Sequence, residues 1–297
     1  MDTFSDALNV TLRNCVLVGG ALLRIKGVDD AGMAALMPRL LVNMTNVTSV
    51  EGTIVLQGTV PANSIVLLAN STLRATTDGS QYVLTSVGEG SAKYGPVLVL
   101  DGVQLLSTQF VVTRTKMTCS GETTCAPILV EHGLYVKQSS AFYMDNCAVS
   151  SPAYGINFVS SDLGVLGGSV FSVQNSSWKV ATDSITAGAI QSDGVVVNGG
   201  SVMQFVSSEF RAGLKVLSFL TLELSDRSWL VHRDCQFRSY YVLYVSGWSG
   251  VQFVNQSVWS VLRNRLLPGT FSPSSYLSNY WYLPVVSNST VYGMCNS

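Results

Sequence analysis

The chain has 297 residues, of which 47% are apolar and 12% charged, and its formal net charge is −1. This near-neutral balance excludes the basic footprint of a nucleic-acid partner, and no run approaches the roughly 18 apolar residues of a membrane span. Valine, leucine, serine and glycine are abundant while glutamate and lysine are scarce, which is a β composition.

In chain order, Met1 to Ala7 carries Asp2 and Asp6 and lacks the apolar run of a signal peptide. A pattern then recurs: apolar, any, apolar, any, a corner residue, any, any, apolar. It reads Val10, Leu12, Asn14, Leu17; then Val42, Met44, Asn46, Ser49; then Val66, Leu68, Asn70, Leu73; then Leu98, Leu100, Gly102, Leu105. In the second half it reads Phe142, Met144, Asn146, Val149; Phe171, Val173, Asn175, Trp178; Met203, Phe205, Ser207, Phe210; Leu230, His232, Asp234, Phe237; and Val251, Phe253, Asn255, Val258. These are nine copies, with corner-to-corner steps of 21 to 44 residues, and the longest step leaves room for a degenerate coil around Phe110 to Thr115.

Period-two alternation turns the apolar pair inward and its neighbours outward. A second short strand follows many corners, as at Ala21 to Ile25, Thr53 to Leu56, Tyr82 to Leu84, Leu214 to Leu217 and Tyr241 to Val245. One coil cannot bury its own apolar face, so coils must stack. The pattern therefore predicts an all-β chain, a right-handed parallel β-helix solenoid of nine or ten coils over 1–262. The variable step argues against leucine-rich repeats and propellers. Residues 263–297, with three prolines and the cluster Tyr276, Tyr280, Trp281, Tyr282, are expected to cap the open end.

Three cysteines, Cys15, Cys147 and Cys235, follow the corner in different coils. Coils stack about 4.8 Å apart, and a disulfide needs Cα atoms within about 7 Å, so these three are expected to be separate thiols. Cys119 and Cys125 share one loop and form the plausible bridge; Cys295 has no evident partner. No spacing resembles a zinc site and no cofactor is implied. His232 takes an inward slot, which fits either a buried base or a core histidine. His132, beside Glu131, is expected on an exposed loop.

The strings S-A-F-Y-M-D-N-C-A-V (Ser140–Val149) and L-N-V-T-L-R-N-C-V-L-V-G-G-A-L-L-R-I-K-G (Leu8–Gly27) resemble repeats of the trypanosome dispersed gene family surface proteins. The resemblance covers most of the chain. It implies large, glycosylated, membrane-anchored surface proteins with pectate-lyase-like β-helix repeats and an adhesive role. Glycans or host-surface proteins are then the expected partners, and the location is the cell surface or extracellular space. The chain has no signal peptide and no membrane span of its own, so the expectation is a short copy or a fragment.

Because β-helices host polysaccharide lyases and hydrolases, the alternative is a carbohydrate-active enzyme. Arg24-Ile25-Lys26 resembles a polygalacturonase motif, but the aspartate and glycine-histidine-glycine motifs that precede it there are missing. Asp29 and Asp30 are adjacent, so on a strand they point apart and do not make a facing pair. The sequence nominates no catalytic residue, and the expected role is non-catalytic binding or display.

Seven N-glycosylation sequons are present, at Asn9, Asn43, Asn46, Asn70, Asn175, Asn255 and Asn288. A corner asparagine can turn left-handed and stack into an amide ladder, so Asn46, Asn70, Asn175 and Asn255 are expected to be engaged. Asn9, Asn43 and Asn288 are the glycosylation candidates.

Overall fold

The computed structural model describes residues 7–28, 33, 37–76, 95–121, 124–181, 188–247, 250–267, 275–279, 285–287 and 289–294, the strands after 267 by backbone course only. Every named element among these is a β-strand. The strands pair in parallel into three long sheets of ten, nine and twelve strands, stacked as a β-solenoid.

One coil contributes a strand to each sheet. Gln109–Thr113 lies in the first, Lys116–Ser120 in the second and Ile128–Lys137 in the third, and the next coil repeats the order with Ala141–Asp145, Ala148–Ser151 and Ile156–Val159. The single apolar residue after each corner is thus the inward side chain of its own short strand. The sequence pattern had merged two of the three faces.

Inward residues of the first sheet stand in register: Val10 on Val42, Val42 on Val66, Val66 on Phe110, and on through Phe142, Phe171, Met203 and Leu230 to Trp259. From Val42 onward each of these has at most 4% of its surface exposed, while Val10, at the open end, is half-buried. Register brings like side chains into stacks. Phe110, Phe142 and Phe171 lie with successive ring centroids 5.1 Å apart, and Trp178, Phe210 and Phe237 stack under the second sheet. Such stacks add to what burial alone contributes.

The corner from first to second sheet needs a residue in the left-handed region. Asn14, Asn46, Asn70, Arg114, Asn146, Asn175, Ser207, Asp234 and Arg263 hold it, with φ between 48° and 56°. Two expected copies are therefore misplaced. Gly102 bends a third-sheet strand, and Asn255 belongs to the corner from third to first sheet, beside Gln256. The true members are Phe110, Val112, Arg114, Met117, the degenerate coil, and Trp259, Val261, Arg263, Leu266. The strand near Tyr82 to Leu84 lies outside the described residues.

Buried serines line both ends of the first sheet. Ser176 Oγ accepts from the Cys147 N–H (3.0 Å) and donates to the Gln174 carbonyl (2.6 Å). Ser208 does the same for Ser176 and Val206. At the other end, Ser140, Ser169, Ser201 and Ser228 each accept a backbone N–H from the preceding coil. A buried hydroxyl has to find such partners, and a parallel stack supplies them at every turn. This accounts for the serine richness of a chain with few charges.

The boundary at 262 is not where the ladder stops. Arg265–Leu267 joins the second sheet, Ser275–Asn279 and Val285–Ser287 join the third, and Thr290–Met294 pairs with Val258–Leu262 in the first. The side chains of Tyr276, Tyr280, Trp281 and Tyr282 lie outside the described residues, as do Asp29 and Asp30. No helix among the described residues is long and apolar enough to cross a membrane.

Candidate functional site

Two outward faces collect charge. The third sheet bends along a line where Gly58, Gly102, His132 and Gly133 take φ of 55° to 88° and the strand register shifts. Just before the bend, Gln57, Asp101 and Glu131 are in register on successive strands. Asp101 Oδ2 accepts from Gln57 Nε2 at 2.9 Å, and its Oδ1 lies 2.7 Å from His132 Nδ1. His132 is therefore on a strand bulge rather than a loop, with half its side chain exposed and one ring nitrogen engaged.

Farther along this sheet, burial and the nearby Asp162 push the Asp193 carboxyl above its ordinary range. Asp162 Oδ1 lies close against Gly194, where an added β-carbon would be 2.7 Å from it. Beyond the bend, the Tyr135 ring lies over Gly133 and Gly164, with Lys137 Nζ 4.9 Å from its centroid.

These side chains come from coils about 30 to 40 residues apart, so no local motif announces them. Asp101 and Glu131 are the facing carboxylates that the sequence did not nominate. Glycoside hydrolysis needs two carboxyl groups that a sugar can reach, and here Glu131 has no exposed surface and Asp101 only 6%. Arg24 and Lys26 lie on the same sheet, Lys26 in register with Gln57.

The third sheet thus mixes both signs, whereas the second is nearly uniform. Its inward positions are apolar or small, and its outward strand positions carry Arg74, Lys116, Lys179, Arg211, Arg238 and Arg265 against one carboxylate, Glu209, among the described residues. Lys179, Arg211 and Arg238 are in register on consecutive strands and line a shallow cavity of about 150 Å³. Glu209 Oε1 accepts from Arg211 Nε at 2.5 Å. The remaining outward positions are chiefly threonine and serine in the middle coils and exposed valines, Val16, Val18 and Val50, in the first two. In every coil the second row of this face is the fourth residue after the corner, a spacing that would have exposed the row in the sequence.

Cys119 and Cys125 are joined as a disulfide, their Cα atoms 5.9 Å apart. Cys15, Cys147 and Cys235 are free, and burial pushes the Cys147 and Cys235 thiols up to about 11. Cys295 lies outside the described residues. His232 is fully buried among the rings of Phe205, Phe237 and Trp259, and burial lowers it to about 3, so it is a neutral core residue. Lys215, unremarked in the sequence, is 3% exposed, lies 3.7 Å from the Tyr244 ring centroid and is pushed down to about 8 by burial. Among the described residues no three His, Cys, Asp or Glu side chains are grouped to hold a metal ion.

Asn9 is exposed and Asn43 half-buried on the outer face of the first sheet, where Asn43 Oδ1 accepts from Thr45 Oγ1 at 2.6 Å. Asn288 lies outside the described residues. The asparagines at Asn46, Asn70, Asn175 and Asn255 are exposed. Three of them donate to a neighbouring coil: Asn46 to Asn14, Asn175 to Asp145 and Asn255 to Asp226.

Comparison with curated proteins finds no match, and no solved structure matches the chain. A family model described as the DGF-1 beta-sheet domain matches residues 9–177, more than half of the chain, and covers the first coils, the Asp101–His132 bend and the Cys119–Cys125 loop. On that match the chain belongs to the DGF-1 beta-sheet domain family.

Proposed function

We propose that the chain is a non-catalytic binding and display module of a cell surface, directed at glycans or host-surface proteins. Family membership makes it a surface-associated protein. The observation that carries the non-catalytic part is the burial of the Asp101–Glu131 pair: Glu131 is closed to solvent, and Asp101 is occupied by Gln57 and His132. A pair held this way cannot protonate a leaving group and receive a sugar on its other side. The binding part is supported by the solenoid's flat outward faces, where similar side chains recur coil after coil and suit an extended ligand.

A glycan array, combined with immobilised host-surface proteins and probed with the intact chain, tests this reading. The expected result is retention on at least one glycan or protein class without change to the ligand. Loss of ligand from the array spots, with released fragments in solution, would contradict it. The alternative, a carbohydrate-active enzyme, is favoured by the register of Asp101 with Glu131 and by the more accessible pair Asp162 and Asp193, whose Asp193 carboxyl is raised. It requires that Glu131→Gln or Asp193→Asn abolish any such release.

A further inference from the structure

We propose that the outward face of the second sheet, centred on Lys179, Arg211 and Arg238, binds a linear polysaccharide carrying at least one anionic group on each sugar. This deepens the binding reading above and rests on it.

Charge segregation is the first ground. The chain as a whole is near neutral, yet this face holds six cations and one carboxylate on its described strands, while the third sheet mixes Asp101, Glu131, Asp162, Asp193 and Glu223 with Arg24, Lys26, Lys137 and Lys215. Whole-chain charge hides a face of one sign, and a face of one sign attracts an extended ligand of the other.

Geometry is the second. Parallel pairing sets Lys179, Arg211 and Arg238 in one straight row, with a step of about 4.8 Å. That step is close to the rise of one sugar in an extended polysaccharide, so each cation can meet one carboxylate or sulfate. The row borders a shallow trough that Val180, Ala181, Ala212 and Gly213 also line, which leaves a sugar ring room to lie against the sheet. Among the described residues neither Lys179 nor Arg238 has an ion-pair partner. Arg211 is held by Glu209 through Nε, which leaves its terminal nitrogens for a ligand. Guanidinium groups suit planar carboxylate and tetrahedral sulfate oxygens. No aromatic ring stands in the row to stack a base, so a glycan fits this face better than a single-stranded nucleic acid.

The test uses the intact chain, with polygalacturonate, heparin, dextran and single-stranded DNA as immobilised probes. Retention is expected on polygalacturonate or heparin, not on dextran. The triple variant Lys179→Ser, Arg211→Thr, Arg238→Thr should weaken it at least tenfold and lower the salt dependence by about one unit of log–log slope per cation removed. These variants should fold, because the same row already holds Thr118 and Ser150. Circular dichroism and the unfolding midpoint check this. Glu209→Gln should tighten binding, a gain that a merely structural role would not produce. Arg227→Ser, at the corner from third to first sheet, should change nothing. Equal loss in Arg227→Ser would overturn the proposal as non-specific charge attraction. DNA retained as tightly as the glycans, or no retention on either anionic glycan, would also overturn it. Binding to dextran or to a host protein that survives the triple variant would overturn this proposal while leaving the broader reading standing. Cleavage of polygalacturonate or heparin would overturn the broader reading instead.

Discussion

The Asn46 side-chain amide donates to Asn14 Oδ1 at 3.1 Å, across one coil and 32 residues of chain. Both residues are left-handed corners, with φ of 56° and 53°. The corner thus does two things with asparagine: it tolerates the backbone conformation and ties one coil to the next, although both side chains remain at the surface.

That tie leads to a prediction about sequon use. Asn46, Asn175 and Asn255 have their amides donated to a neighbouring coil, whereas Asn9 is exposed and no such bond is described for it or for Asn70. Glycopeptide mass spectrometry on the native protein should find glycans at Asn9 and Asn43, substantial occupancy at Asn70, and low occupancy at the three tied asparagines. The reverse distribution would mean that the ladder does not hold these amides.

Thiol chemistry offers a second check. Cys147 and Cys235 are buried, their thiols raised to about 11, and the Cys147 thiol donates to the Val112 carbonyl at 3.4 Å. A thiol that is neither exposed nor ionised is a poor nucleophile. Iodoacetamide at pH 8 should label Cys15, which is half-buried, and leave Cys147 and Cys235 untouched until denaturant is added. Peptide mapping reads the outcome.

Stability should depend on pH through His232. Burial holds it at about 3 in the folded chain against an ordinary value of 6.5. Between those values the unfolded chain binds a proton that the folded chain does not, so stability falls as pH drops below about 6.5, by at most about 1.4 kcal/mol per pH unit. The loss ends below the folded value. Its register neighbours are Phe205 and Val261, so His232→Leu is an acceptable replacement, and urea midpoints from pH 7 to pH 4 should be flatter in the variant.

Core packing gives the largest expected effect. Trp178 has no exposed surface and stacks on Phe210 at 5.8 Å. Trp178→Ala should cost about 3–5 kcal/mol. Ser176→Ala, which removes the acceptor for the Cys147 N–H, should cost about 1–3 kcal/mol. Urea unfolding measures both, and the tryptophan variant should be the weaker.

Much of this architecture was legible because period-two alternation survives in every first-sheet strand, so Val66, Phe142, Phe171, Met203 and Leu230 read directly as interior. Corners were legible where asparagine marked them, and at Ser207 and Asp234 where the flanking apolar positions did. Arg114 and Arg263 adopt the same left-handed conformation, with φ of 48° and 50°, but arginine is no signal for it: the first of their coils reads only as a degenerate one around Phe110 to Thr115, and the second does not read at all. Gly102 and Asn255 carry the right signal at other bends and were taken for corners. The charged faces were harder still. Asp101 meets Gln57 from 44 residues away and His132 from 31, and only the correct register aligns them. Lys179, Arg211 and Arg238 escape for another reason: each stands four residues after a corner that reads correctly, at Asn175, Ser207 and Asp234, but the apolar pattern follows inward positions and passes over the outward row.

The central claim is that this surface solenoid engages ligands without transforming them. Polygalacturonate incubated with the intact chain, assayed in one sample for new reducing ends and for absorbance from unsaturated ends, tests it most directly. The account predicts neither signal above buffer, for the intact chain and for Glu131→Gln alike. Ends that accumulate with time in the intact chain would contradict it, and their loss in Glu131→Gln or in Asp193→Asn would show which carboxylate pair makes them.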